Sequence, residues 1–225
     1  MRFPGGGLRW RGVKARWGTE RVEAFSDGVF AIAITLLVLD LAIPESEISH
    51  LWRGIAHLWP GYLGYVTSFL TIGGIWLDHH GIFRRMRYAN SAVMRLNLLL
   101  LMAVAFLPFP TRLMAQALHS KDAETAAVVF YGISLFVVWA LISALAGAVT
   151  RDRELLKREV SEQEVAGVAL TTTPNVIVFI GAVVLAILVP RVAAFGYLVI
   201  AVVLILRAQS DEVPERSPPA QVPGR

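Results

Sequence analysis

The stretch from Arg21 to Leu41, RVEAFSDGVFAIAITLLVLDL, constrains this chain more than any other. It is apolar over the length a bilayer core requires, about 20 residues in a helix. Yet it carries Ser26 and Asp27 close to its start. An Asp at the centre of a membrane helix costs roughly 2.5 to 3.5 kcal/mol on insertion scales, so Asp27 needs a partner or a function. No further charge follows until Asp40. Any path lined by this helix is therefore lined by Ile, Thr and Leu.

Composition sets the class. Hydrophobic residues make up 56% of the chain and the mean hydropathy is +0.59, beyond the range of ordinary soluble domains. The expected fold is all-α, an integral membrane protein. There are no cysteines, which excludes a disulfide framework and a thiolate metal site. The net charge of +4 fits basic loops beside a lipid bilayer better than a nucleic-acid partner. The first 20 residues are basic and Gly-rich with no apolar core, so no cleavable signal peptide is expected.

Six transmembrane helices are expected: Arg21 to Ile43, Ile55 to Phe83, Ser91 to Ala117, Glu124 to Val149, Val165 to Val189 and Arg191 to Leu206. Pro108 and Pro110 should bend or break the third. The charged stretch Arg151 to Val165 has helical spacing and reads as a solvated extension. The chain divides into a basic cytoplasmic arm (1–18), a six-helix domain (19–207) and a Pro-rich disordered tail (208–225). With both termini cytoplasmic, every Lys and Arg except Arg53, Arg112, Lys121 and Arg191 falls on the cytoplasmic side. That is the expected bias for an even number of spans.

The first helix has two distinct faces. At about 100° per residue, Gly28, Thr35, Leu36 and Leu39 fall within about 60° of Ile32. Asp27 lies about 140° away, with Phe30, Ile34, Leu37 and Leu41 on its side. The two faces cannot serve one cavity. Taken alone, an apolar stripe on a membrane helix is ordinary helix contact. Asp40, about 80° off the stripe, reads as a lateral helix-end contact, with a cation-attracting ring as the alternative.

Depth points to partners for Asp27. The second helix brings Trp76, His79 and His80 to the same level, and the third brings Asn97. A polar cluster of Arg21, Phe25, Ser26, Asp27, Trp76, His79, His80 and Asn97 is expected where the three helices meet. It reads as a structural clamp whose members satisfy one another. Proton sensing by a histidine is the alternative. Adjacent histidines cannot both aim at one site from a regular helix, which argues against a zinc hydrolase. No catalytic set is apparent, so an enzyme is not expected.

The pattern Arg21-x-x-x-Phe25-Ser26-Asp27 opening a first membrane helix resembles the signature of the transmembrane protein 175 potassium channels. The tracts GVFAIAITLLVLDL, IWLDHHGIF and LNLLLLMAVAFLPFPT resemble its bacterial branch. The resemblance covers roughly residues 19 to 207. It implies a homotetramer in a bacterial cell membrane, with the first helices around a central axis. It further implies a constriction at Ile32, Leu36 and Leu39 and a potassium preference associated with Thr35. Potassium would pass near Ile32 and Thr35 as the permeant ion, with no cofactor and no fixed metal. No TVGYG-like segment is present, so a carbonyl filter is excluded. The alternative is a proton-coupled secondary transporter using Asp27 with His79 and His80 as a relay.

Overall fold

The computed structural model describes residues 16–43, 45–118, 120 and 122–210. The arm up to residue 15 and the tail beyond 210 lie outside the described residues. The chain is all-helical, with only two isolated β-bridges among the described residues. Among the described residues eight α-helices follow one another: α1 Thr19–Leu36, α2 Leu51–His57, α3 Trp59–Arg84, α4 Ser91–Phe106, α5 Pro108–Ala117, α6 Glu124–Arg151, α7 Glu162–Leu188 and α8 Pro190–Ser210.

The boundaries have local causes. Pro108 has no N–H to continue α4, so the chain breaks there and restarts with proline in the first turn of α5. Asn90 caps α4 by accepting from the amides of Ala92 and Val93, each at 3.0 Å. Ser161 and Glu164 form a reciprocal capping box at the start of α7. Two expected helices differ from their predicted extents. The first, expected to run to Ile43, tightens into a 3-10 turn over Leu37–Asp40. The second, expected from Ile55, starts at Trp59, because Leu51–His57 forms a separate short helix.

The stretch expected as a solvated helical extension is instead docked. It holds a 3-10 turn, Arg153–Leu155, and an irregular segment before α7. Leu155 and Leu156 are buried. The Leu155 carbonyl accepts from the Arg87 amide at 2.7 Å, and the Lys157 amide donates to the Arg85 carbonyl at 3.0 Å. Two apolar residues in the middle of a charged run were worth more buried than exposed, roughly 1.5–3 kcal/mol each.

Among the described residues, four segments are long and apolar enough to cross a bilayer: Thr19–Asp40, Ser91–Ala117, Glu124–Arg151 and Pro190–Arg207. Helices α3 and α7 are of comparable length, 26 and 27 residues. Large apolar side chains such as Ile177, Leu188, Val199 and Leu206 stand exposed on α7 and α8. That is the pattern of a surface facing hydrocarbon rather than water. Inside, α6 packs on α4, α5, α7 and α8, so it forms the hub. Helix α1 packs mainly on α3 and α4, at the margin of the single chain.

The core contains a very close approach at a glycine. Helices α6 and α8 meet at Gly132, where an added Cβ would strike the Tyr197 ring and come to 3.0 Å from Val183. Tyr197 itself is fully buried edge-on to Tyr131, with ring centroids 5.5 Å apart. Gly132→Val should therefore overpack this crossing. Overpacking of a filled core costs about 1–3 kcal/mol. The melting temperature in detergent should fall clearly, and an unchanged value would contradict this packing.

Candidate functional site

Helix α1 is divided along its length into a packed face and an open one. Val22, Ser26, Phe30, Ala33 and Leu37 are buried, at the spacing of one helical stripe. Ile32 is 61% exposed, Leu36 42% and Leu39 71%. Gly28 and Thr35 on the same side are also exposed. The change to 3-10 geometry at Leu37 preserves this alignment. Residues three apart eclipse in a 3-10 turn, so Leu39 stays in line with Leu36.

The packed face is held by hydrogen bonds as well as apolar contact. The Asn97 side-chain amide on α4 donates to Ser26 Oγ at 3.0 Å. Ser26 in turn donates to the Val22 carbonyl at 2.8 Å. Asn97 Oδ1 then accepts from His79 Nε2, 2.8 Å away on α3. These roles assign the Nε2-protonated tautomer to His79. The His79 ring is buried between Phe30 and Phe83, at centroid distances of 5.4 and 4.4 Å. Three helices are thus joined through one buried polar chain with a single direction of donation.

A second link joins α1 to α3 nearer the surface. Trp76 Nε1 donates to Asp27 Oδ1 at 2.8 Å. One turn along each helix, His80 Nδ1 lies 2.7 Å from Glu23 Oε1. Trp76 and His80 stack with centroids 6.0 Å apart. The two pairs form a two-rung ladder, because Glu23 and Asp27 are four apart on α1 and Trp76 and His80 are four apart on α3. Adjacent His79 and His80 therefore serve different partners.

Of the polar cluster expected from sequence, Ser26, Asp27, Trp76, His79, His80 and Asn97 make these links. Arg21 and Phe25 do not join them. Both are exposed, on the same side as Ile32. The reason is angular: each lies about 20° from Ile32 around the helix, far from the face that meets α3 and α4. Glu23 went unnoticed in the sequence, although its i, i+4 spacing to Asp27 was the available signal. A further buried node also escaped notice. Ser68 Oγ lies 2.7 Å from Thr111 Oγ1 and 2.9 Å from the Tyr131 hydroxyl, joining α3, α5 and α6. Its three members are scattered among apolar residues without a motif.

Thr35 and Asp40 complete the open side. The Thr35 hydroxyl donates to the Ile32 carbonyl at 2.9 Å, which leaves its oxygen lone pairs free toward the open face. Asp40 is turned sideways, 3.9 Å from Arg112 on α5. Among the described residues no group of three or more His, Asp and Glu side chains is arranged to hold a metal ion.

The open and packed faces predict different outcomes for substitution. Asp27→Ala removes the Trp76 acceptor and should weaken the α1–α3 ladder. Trp76 is 37% exposed, so the orphaned indole keeps access to its surroundings and the cost should stay near 1 kcal/mol. Melting measurements should show a less stable protein. A variant as stable as the native chain would contradict the clamp.

The fold and site define a membrane-embedded, multi-pass helical protein whose first helix is clamped on one side and leaves an apolar stripe open on the other. It belongs to the endosomal/lysosomal potassium channel TMEM175 family, whose model matches residues 21–108. That stretch covers α1 to the start of α5. The chain is 43% identical over 136 residues to a potassium channel of Streptomyces collinus, spanning 60% of this chain and 66% of the relative. It is 44% identical over 150 residues to a potassium channel of Chamaesiphon minutus, spanning 65% of this chain and 73% of the relative. A crystal structure of a lysosomal potassium-selective channel TMEM175 homolog from Chamaesiphon minutus superposes with a TM-score of 0.76 at 34% identity. That match covers 84% of this chain and 97% of the other. The family is one of ion channels, not a class of enzymes.

Proposed function

We propose that this chain is a potassium-permeable cation channel whose path runs along the open face of α1. The observation that carries this reading is the asymmetry of α1. Ser26, Asp27 and Glu23 on its packed side are engaged by α3, α4 or its own backbone, while Ile32, Leu36 and Leu39 stand exposed on the other side among the described residues. On α7 and α8 bare apolar side chains face lipid; the likeness to potassium channels is what favours a partner surface for the α1 stripe instead. Four copies arranged as a homotetramer, stripes facing a common axis, supply one. The relatives named potassium channels support the same reading.

On this reading all six long helical segments cross the bilayer of a bacterial cell membrane, with both termini cytoplasmic. The basic residues concentrated on that side support the orientation. Four Ile32 side chains narrow the path to a dry constriction, followed by rings of Leu36 and Leu39. Water leaves a narrow apolar pore, so an ion must shed hydration to pass. Potassium holds its water less tightly than sodium and meets the lower barrier. Thr35 oxygens, one helical step from the constriction, replace part of the lost hydration. The channel needs no cofactor, and potassium is the permeant species. The proton-coupled transporter is not supported: the relatives are named as channels, and the supposed relay residues point to separate structural partners.

The test is ion flux from liposomes holding the purified protein. Potassium efflux should be fast, unsaturating, independent of a proton gradient, and larger than sodium efflux. Flux that saturates and follows the proton gradient would overturn the proposal.

A further inference from the structure

The open face of α1 extends beyond Gly28 toward the start of the helix. Counting at about 100° per residue, Phe25 and Arg21 lie about 20° to either side of Ile32. Phe25 is 57% exposed, and Arg21 is exposed as well. Between Phe25 and Ile32, a Cβ added at Gly28 would meet nothing within 4 Å, so the face is recessed there. From the helix start, the open stripe therefore reads cation, aromatic ring, recess, aliphatic constriction.

The acidic residues of the same turns face elsewhere. Glu20, exposed in the first turn, lies about 120° from Ile32; Glu23 and Asp27 lie about 180° and 140° away and are both engaged by α3. Arg21 forms no hydrogen bond or ion pair among the described residues. Its guanidinium brings a positive charge to the open face. Its register with Ile32 is anchored from outside the helix. Two residues before α1, Trp17 exchanges backbone hydrogen bonds with Ala89 at 3.0 and 2.9 Å, and Arg16 sits 4.4 Å over the Tyr88 ring.

We infer that Arg21, four times repeated around the axis, forms a ring of positive charge at the entrance where α1 begins, and that this ring limits and rectifies the cation current. The inference rests on the proposal that the α1 stripe faces a shared axis. The physics is a local potential. Like charges at a mouth lower the concentration of cations there, and surface potentials of this kind change arrival rates by factors on the order of ten or more. The effect acts on ions entering from the α1 start more than on ions leaving toward it, so current from that side is depressed. Salt screens it, since the Debye length falls from about 10 Å at 0.1 M to about 3 Å at 1 M.

The chain has no cysteine, so a single introduced thiol reports on one position. Arg21→Gln should raise potassium current from the α1-start side on the order of tenfold at low salt, with the gain shrinking toward about 1 M salt. Arg21→Lys should restore the native rectification. In Arg21→Cys, an anionic methanethiosulfonate reagent should increase the current and a cationic one should depress it. Reagents of both signs acting alike, or a change in Arg21→Gln that ignores salt, would overturn the inference. Should these variants fail to assemble, the native channel still decides it: its rectification must weaken as salt rises, and rectification that is constant with salt rules the ring out. A native protein that carries potassium while failing these tests sinks the ring alone; one that carries no potassium sinks the channel proposal.

Discussion

Ile32→Asn is expected to raise potassium conductance and to weaken the preference for potassium over sodium. The native side chain offers passing ions no ligand and no hydrogen bond to water. An amide ring of similar size keeps the narrowest point wet, so both ions cross with more of their hydration retained. The dehydration barrier falls for both, and it falls further for sodium, which has more hydration to lose. Each 1.4 kcal/mol removed from a barrier speeds passage about tenfold. Ile32 is exposed in the single chain and supports no buried core, so the substitution should leave folding intact. Bilayer recordings check it directly: larger unitary currents and a reversal potential moved away from potassium are expected. Unchanged currents would remove Ile32 from the path.

Asn97→Ala is expected to do the opposite, damaging the protein while sparing the preference of whatever survives. Asn97 is 1% exposed and bridges His79 to Ser26. Its loss leaves the His79 N–H without its acceptor and Ser26 Oγ without its donor, both at 0% exposure. An orphaned buried polar group costs about 1–3 kcal/mol, so the pair amounts to several kcal/mol, a large share of a typical net stability. The cost should exceed that of Asp27→Ala, whose partner Trp76 is partly exposed. Thermal melting and the yield of folded protein measure it. A variant as stable as the native chain would show that the polar chain contributes little to holding α1 in place.

Much of this organisation was legible in the residues. The two-faced character of α1 follows from helical period alone, and burial divides the helix along the same lines. The meeting of Asp27 with Trp76, and of Asn97 with His79, followed from matching depth on three antiparallel spans. Period was equally available for Arg21 and Phe25, but the motif that contains them drew them toward Asp27. Angle decided against sequence proximity. The Leu155 and Leu156 anchor was hidden because charged neighbours outnumber it, and hydropathy averages blur a two-residue contact. The Ser68, Thr111 and Tyr131 node was out of reach for a different reason. Hydroxyls in membrane helices can satisfy themselves on the carbonyl one turn back, as Thr71 does with Thr67, so their presence signals no long-range partner.

The central claim is that α1 turns Ile32 toward the ion path and Asp27 toward its own subunit. Silver ion, a thiol-reactive cation close to potassium in size, tests it in a chain that has no thiol of its own. Potassium flux should be blocked irreversibly by silver in Ile32→Cys and untouched in the native chain and in Ile34→Cys, whose side chain packs on the core. Block at position 34 with position 32 spared would place the path on the other side of the helix and contradict the account.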